Sequence, residues 1–170
     1  MDDARTAAVR PIEPGELAAV LALNNAHSIE LGHVDMEKLG HIVSVATVAI
    51  ATGPVGQPDA FLIAFDHALP AQGPNHAWFL ARHPRFLYVD RVCVHPQARK
   101  RGLARALYAF VLAEAARRST PVVCCEVNSD PPNPLSDAFH AALGFREVGR
   151  AFLPDRGKSV RYLELGVGGD

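Results

Sequence analysis

The 170-residue chain is poor in several things, and each shortage closes off a class of function. Net charge is nearly absent: 17 Lys and Arg face 18 Asp and Glu, so no global basic field recruits nucleic acid or an anionic membrane. No apolar run approaches the roughly 20 residues that cross a bilayer. The first residues, MDDARTAAVRP, are acidic and hold no apolar signal segment. Cysteine is scarce. Cys93, Cys124 and Cys125 all lie in apolar, strand-like runs. Neighbours on a strand point to opposite faces, so Cys124 and Cys125 are not expected to pair, and an odd number of buried thiols fits a reducing cytoplasm. Eight histidines are scattered without His-Glu-x-x-His or paired-cysteine spacing, so no metal centre is expected. Repeats, low-complexity tracts and a linker are also missing. These absences leave a single cytoplasmic domain over residues 1–170, with neither nucleic acid nor membrane as partner.

The patterns that are present predict its elements. Residues 7–12 form a short strand, with Pro11 placing it at an edge. Glu13-Pro14-Gly15-Glu16 opens a helix that puts Leu17, Val20, Leu21 and Asn24 on one side, and Asn24-Asn25 end it. Asp35 caps a second helix, Asp35 to Ile42, with Met36, Leu39 and Ile42 inward. Residues 44–51 and 60–66 are a hairpin around a Gly/Pro-rich loop. Residues 67–84 read as loop with a turn of helix near Trp78-Phe79. Pro121 opens a strand through Val127, apolar enough to be covered on both faces. A rigid Asp130–Pro134 connection leads to a helix burying Leu135, Phe139, Ala142 and Leu143 and closed by Gly144. Residues 145–153 and 159–167 are a last pair of strands.

The organising stretch is FLYVDRVCVHPQARKRGLA, residues 86–104. Phe86 to Val94 reads as a strand that His95-Pro96 breaks. A helix follows on the period of Leu103, Leu107, Phe110 and Val111. Its first turn offers unpaired N–H groups and partial positive charge, Gly102 admits close backbone approach, and Arg99, Lys100 and Arg101 add formal charge. That is a site for a small anion.

Arg99-Lys100-Arg101-Gly102-Leu103-Ala104 resembles the Arg/Gln-x-x-Gly-x-Gly/Ala signature of the GNAT superfamily of N-acetyltransferases. A second block, Asn133 to His140 followed by Gly144-Phe145, resembles that family's Asn-x-x-Ala-x-x-x-Tyr and Gly-Phe elements. The resemblance implies an α/β (α+β) fold: a mixed, mostly antiparallel central sheet with helices on both faces. It also implies acetyl-CoA as cosubstrate, its pyrophosphate on the 99–104 turn. Its pantetheine arm would run along Val92, Cys93 and Val94, with Val94 N–H the oxyanion donor, and Asn133 would bond the same arm. Asn133 before Pro134 is equally a helix N-cap.

Acyl transfer to an amine also needs a base and a way for the thiolate to leave. Glu126 interrupts an apolar strand, where a polar group is costly without a partner, and is favoured over Asp90, whose neighbour Arg91 offers an ion pair. His140 replaces the family's tyrosine; it is either the acid for the thiolate or a ring packed on the helix's buried side. Cys93 has no evident histidine–carboxylate pair, so a covalent relay is not expected. By the same resemblance, Asn24, Asn25, His27 and Trp78 lie in segments that wall an acceptor pocket. The expectation is an N-acetyltransferase acting on a primary amine by direct attack in a ternary complex, with a homodimer left open. The alternative is a non-catalytic acyl-CoA-binding or sensing module. A nucleotide-phosphate binder is disfavoured by the lack of Gly-x-x-x-x-Gly-Lys-Ser/Thr.

Overall fold

A computed structural model describes residues 8–168. Residue 7 of the expected first strand, and residues 1–7 of the N-terminal segment, therefore lie outside the described residues. Among the residues described, seven strands form one sheet in the order β1-β2-β3-β4-β5-β7-β6. They are β1 (Arg10–Pro11), β2 (Val48–Thr52), β3 (Ala60–Asp66), β4 (Leu87–Val94), β5 (Val122–Asp130), β6 (Arg146–Leu153) and β7 (Lys158–Gly166). The pairs β1/β2, β2/β3, β5/β7 and β6/β7 are antiparallel, and β4/β5 is parallel. Among the described residues six α-helices accompany the sheet: α1 (Leu17–Asn25), α2 (Ser28–Leu31), α3 (Met36–Val45), α4 (Pro74–Leu80), α5 (Leu103–Arg117) and α6 (Pro134–Leu143). Among the described residues no helix is long and apolar enough to cross a membrane.

The chain clusters into two compact units, one through Ala64 plus Arg91–Ala113, the other Phe65–Asp90 plus Glu114 onward. In the first unit, β1 pairs at the edge through Pro11 opposite Ile50, where a missing N–H does least harm. Helix α1 packs on α3. Asp35 caps α3 by accepting from Lys38 N at 2.7 Å, a bond of the kind that contributes about 1 kcal/mol. α3 takes in residues 44 and 45, which sequence had placed in β2, because the Ser44 hydroxyl bonds the His41 carbonyl and closes a last helical turn. Met36, expected inward, is 44% exposed, while Leu39 and Ile42 are buried as expected. On α1 the buried positions are Val20, Leu23 and Asn24 rather than Leu17 and Leu21. Leu103, Leu107 and Val111 carry the buried stripe of α5, but Phe110 lies outside it.

In the second unit, α4 extends the expected turn to seven residues. Trp78 stacks on Tyr162 with ring centroids 4.2 Å apart, and Phe79 meets Tyr162 edge-on at 5.4 Å. Helix α6 is rotated from its expected face. Leu135 is 76% exposed and Ala142 is exposed, while His140 is the buried residue. Helical spacing fits two adjacent stripes there, and the one through Ser136 and His140 is inward because the helix backbone itself satisfies the imidazole. Gly144 closes α6 in the left-handed conformation, φ +97°.

Candidate active site

In the first unit β4 ends at Val94, and His95 caps a short 3-10 turn, its Nδ1 accepting from Gln97 N at 3.2 Å. Between that turn and α5 the backbone enters the left-handed region twice, at Lys100 (φ +63°) and Gly102 (φ +74°). The turn so formed leads straight into a 15-residue helix, whose first N–H groups have no partner within the helix and carry partial positive charge. Arg99, Lys100, Arg101 and Gly102 are exposed, whereas Leu103 is buried and Ala104 half-buried. Leu103 can therefore face a ligand only through its backbone. A Cβ added to Gly102 would meet nothing within 4 Å, so the glycine serves conformation and leaves open space before the turn. Exposed cations, a helix N-terminus and open space fit a phosphate-bearing ligand. A cleft of about 970 Å³ opens beside the turn, lined by Leu23, Ala26, His27, Asp59, Ala98 and Arg101 among others.

Along β4, Val92 and Val94 are half-buried and Cys93 is buried. The structure brings a histidine to Cys93 that sequence reasoning missed: His27 Nδ1 lies 3.3 Å from its Sγ. The two do not form a nucleophile and its base. The same Nδ1 is 3.0 Å from the Leu23 carbonyl, which can only accept, so Nδ1 carries a proton. Burial pushes the Cys93 thiol up to about 12, with Arg99 acting weakly the other way. The remaining nitrogen, Nε2, is then the acceptor for Arg99 Nη2 at 3.4 Å. Asn24 and Asn25 are occupied in tying α1 to the loop beyond α2. Asn24 donates to the Gly32 carbonyl and accepts from Arg91 Nη1 at 2.9 Å, and Asn25 both donates to and accepts from the Val34 backbone.

In the second unit β4 and β5 run parallel through Leu87–Val123 and Tyr88–Cys124. This register puts Tyr88 and Glu126 on one face, and the Tyr88 hydroxyl donates to Glu126 Oε2 at 2.6 Å. Asp90 is two residues beyond Tyr88 and so shares that face. Desolvation first, and then the Asp90 charge, raise the Glu126 pKa to about 7 against the opposing Tyr88 hydrogen bond and Lys158. Tyr88 itself is pushed well above the usual tyrosine value, by burial first and then by Glu126 and Asp90. It stays a phenol and donates. Tyr88 carried a usable signal in the sequence, the parity it shares with Asp90, but its partner on β5 depends on register.

His140 is buried between Phe139 and Phe145, each ring 5.3 Å away and edge-on. Its Nδ1 lies 2.7 Å from the Ser136 carbonyl and therefore carries the proton. Burial lowers its pKa, so the ring is neutral and Nε2 presents a lone pair. Asn133 caps α6, accepting from Ser136 N at 3.3 Å, with Pro134 at the first helical position. Trp78 belongs to the aromatic stack on Tyr162. Among the described residues no group of three His, Cys, Asp or Glu could hold a metal ion.

The chain is similar in structure to the ribosomal-protein-S18-alanine N-acetyltransferase from Escherichia coli, at 15% identity and a TM-score of 0.70 over 96% of this chain and 95% of that one. It is similar to Arabidopsis thaliana NAA60 in complex with acetyl-CoA, at 18% identity and a TM-score of 0.73 over 95% and 99% of the two chains. It also resembles the ribosomal-protein-alanine N-acetyltransferase from Brucella melitensis, at 22% identity and a TM-score of 0.70 over 94% and 99%. At these identities the likeness is one of fold. No curated protein sequence matches the chain. Residues 12–145 match the family model described as Acetyltransferase (GNAT) family, a span that takes in the cationic turn, Tyr88, Glu126 and the α6 block. On that match, across most of its length, the chain belongs to the GNAT family of acetyltransferases.

Proposed function

We propose that the protein is a single-domain N-acetyltransferase that moves an acetyl group from acetyl-CoA to a primary amine by direct attack in a ternary complex. The observation that carries this reading is Glu126: a carboxyl with a pKa of about 7, hydrogen-bonded to a phenol that cannot ionise near neutrality. A base is most effective when its pKa lies near the working pH, and an alkylammonium acceptor must lose a proton before it can attack. Glu126 takes that proton, directly or through one water, and Tyr88 fixes which oxygen faces it. Asp90 contributes through its charge on Glu126.

Acetyl-CoA supplies the activated acyl group as a thioester. Arg99, Lys100, Arg101 and the 100–104 amides hold its phosphates, Val92 to Val94 offer backbone groups to the pantetheine arm, and Val94 N–H is the oxyanion donor. Asn133 contributes its cap to α6. A neutral His140 whose N–H is committed to the Ser136 carbonyl has no proton to give the departing thiolate, so the thiolate leaves without an acid from this residue. Cys93 takes no covalent part.

Thermal unfolding with CoA, acetyl-CoA or ATP tests the cofactor half of the reading. Ligand at about 100 times its dissociation constant adds about 2.7 kcal/mol, several degrees for a chain of this size. A shift with both CoA species and none with ATP is the expected result. No shift with either CoA species would remove the cofactor role from the turn. A panel of primary amines with acetyl-CoA then separates an enzyme from a binding module.

A further inference from the structure

Asp59 puts a fixed negative charge against a turn built for anions. Its N–H donates to the Thr52 carbonyl at 2.9 Å, and its own carbonyl accepts from His95 N at 2.8 Å. Its carboxyl packs on Gly53, where an added Cβ would come within 2.9 Å of the carboxyl carbon. The loop that Asp59 closes is anchored at its other end too. Arg10 donates to the Gly53 and Pro54 carbonyls, and the buried Glu16 carboxylate accepts from Gly56 N. So held, Asp59 Oδ2 accepts from Arg101 Nη1 at 3.4 Å, and both residues line the cleft.

We infer that Asp59 sets cofactor affinity by competing with the CoA phosphates for Arg101. The inference rests on the reading that the 99–104 turn receives those phosphates. Acetyl-CoA and the product CoA carry the same phosphates, so the competition weakens both alike. Such uniform weakening raises the KM and quickens product departure without acting on the reacting thioester. The pair is partly exposed, so its effect is modest.

The test is calorimetric titration of CoA into wild type, D59N, D59S, R101Q and the D59N/R101Q double variant. Both Asp59 variants keep the backbone bonds, and neither adds bulk against Gly53. The dissociation constant should fall about fivefold in D59N and D59S, the size of one unit-charge contact near 4 Å in a high dielectric. In the R101Q background the D59N gain should shrink below twofold. An unchanged or higher constant in D59N and D59S, or an equal gain with and without Arg101, would overturn the inference. If wild type itself does not bind CoA, the turn is not a CoA site and the inference falls with it.

Discussion

Replacing Glu126 with glutamine should cut kcat by about 100- to 1,000-fold while acetyl-CoA still binds, the loss expected when a positioned general base is removed. Wild-type kcat/KM should rise with pH through an inflection near 7, the value burial gives this carboxyl, because only its ionised form accepts the proton. The variant should lack that inflection. Stability should move the other way. The folded-state pKa is raised above the ordinary 4.5, so the folded chain binds more protons than the unfolded one between about pH 4.5 and 7. Stability from this group is full below pH 4.5 and is lost as pH rises through 7. At pH 8 wild type therefore carries a desolvated carboxylate that E126Q does not, a difference of about 2 kcal/mol after allowing for residual exposure. Glutamine can still accept from Tyr88. Parallel pH–rate profiles and thermal melts decide the matter: an E126Q enzyme with near-normal turnover would end the assignment of Glu126 as base.

The second large effect is on stability alone. Gly149 lies opposite Tyr162 in the β6/β7 ladder, just after a bulge, and the indole of Trp78 covers this spot. A Cβ on residue 149 would overlap Trp78 Cζ2 and fall 2.9 Å from Cη2, closer than real Cβ atoms sit. Here glycine is required for close approach, since its φ is not left-handed. G149A should cost about 2–3 kcal/mol, the usual price of overpacking, and lower the melting temperature by about 8 °C. Trp78 is the only tryptophan, so its fluorescence follows the same transition. In a W78L background the cost of G149A should largely vanish. If it persists there, the clash with the indole is not its cause.

How much of this was legible in sequence follows from which residues are decided locally. β3 was bounded correctly, and α5 was found where it starts, because apolar pattern and the flanking proline or glycine agreed there. The cationic turn was legible for the same reason, since strand, breaker, basic run and helix stripe follow one another without interruption from Phe86 to Val111. Helix α6 was found but turned wrongly. Its apolar residues favoured one stripe, while a histidine able to bond its own helix's carbonyl made the neighbouring stripe the buried one. The Tyr88–Glu126 bond and the approach of His27 to Cys93 and Arg99 join residues 38, 66 and 72 positions apart. No local pattern specifies such meetings. Register and helix packing do.

The burial of every cysteine gives the protein a built-in clock for its own opening. Cys93 stands in one unit and Cys124 and Cys125 in the other, all three shielded from solvent. Thiol reagents attack thiolates, and burial raises the pKa of both Cys93 and Cys124. Modification of the native chain therefore waits on exposure, and its rate counts opening events rather than surface chemistry. Peptide mapping of the label would time each unit separately, with no reporter group engineered in.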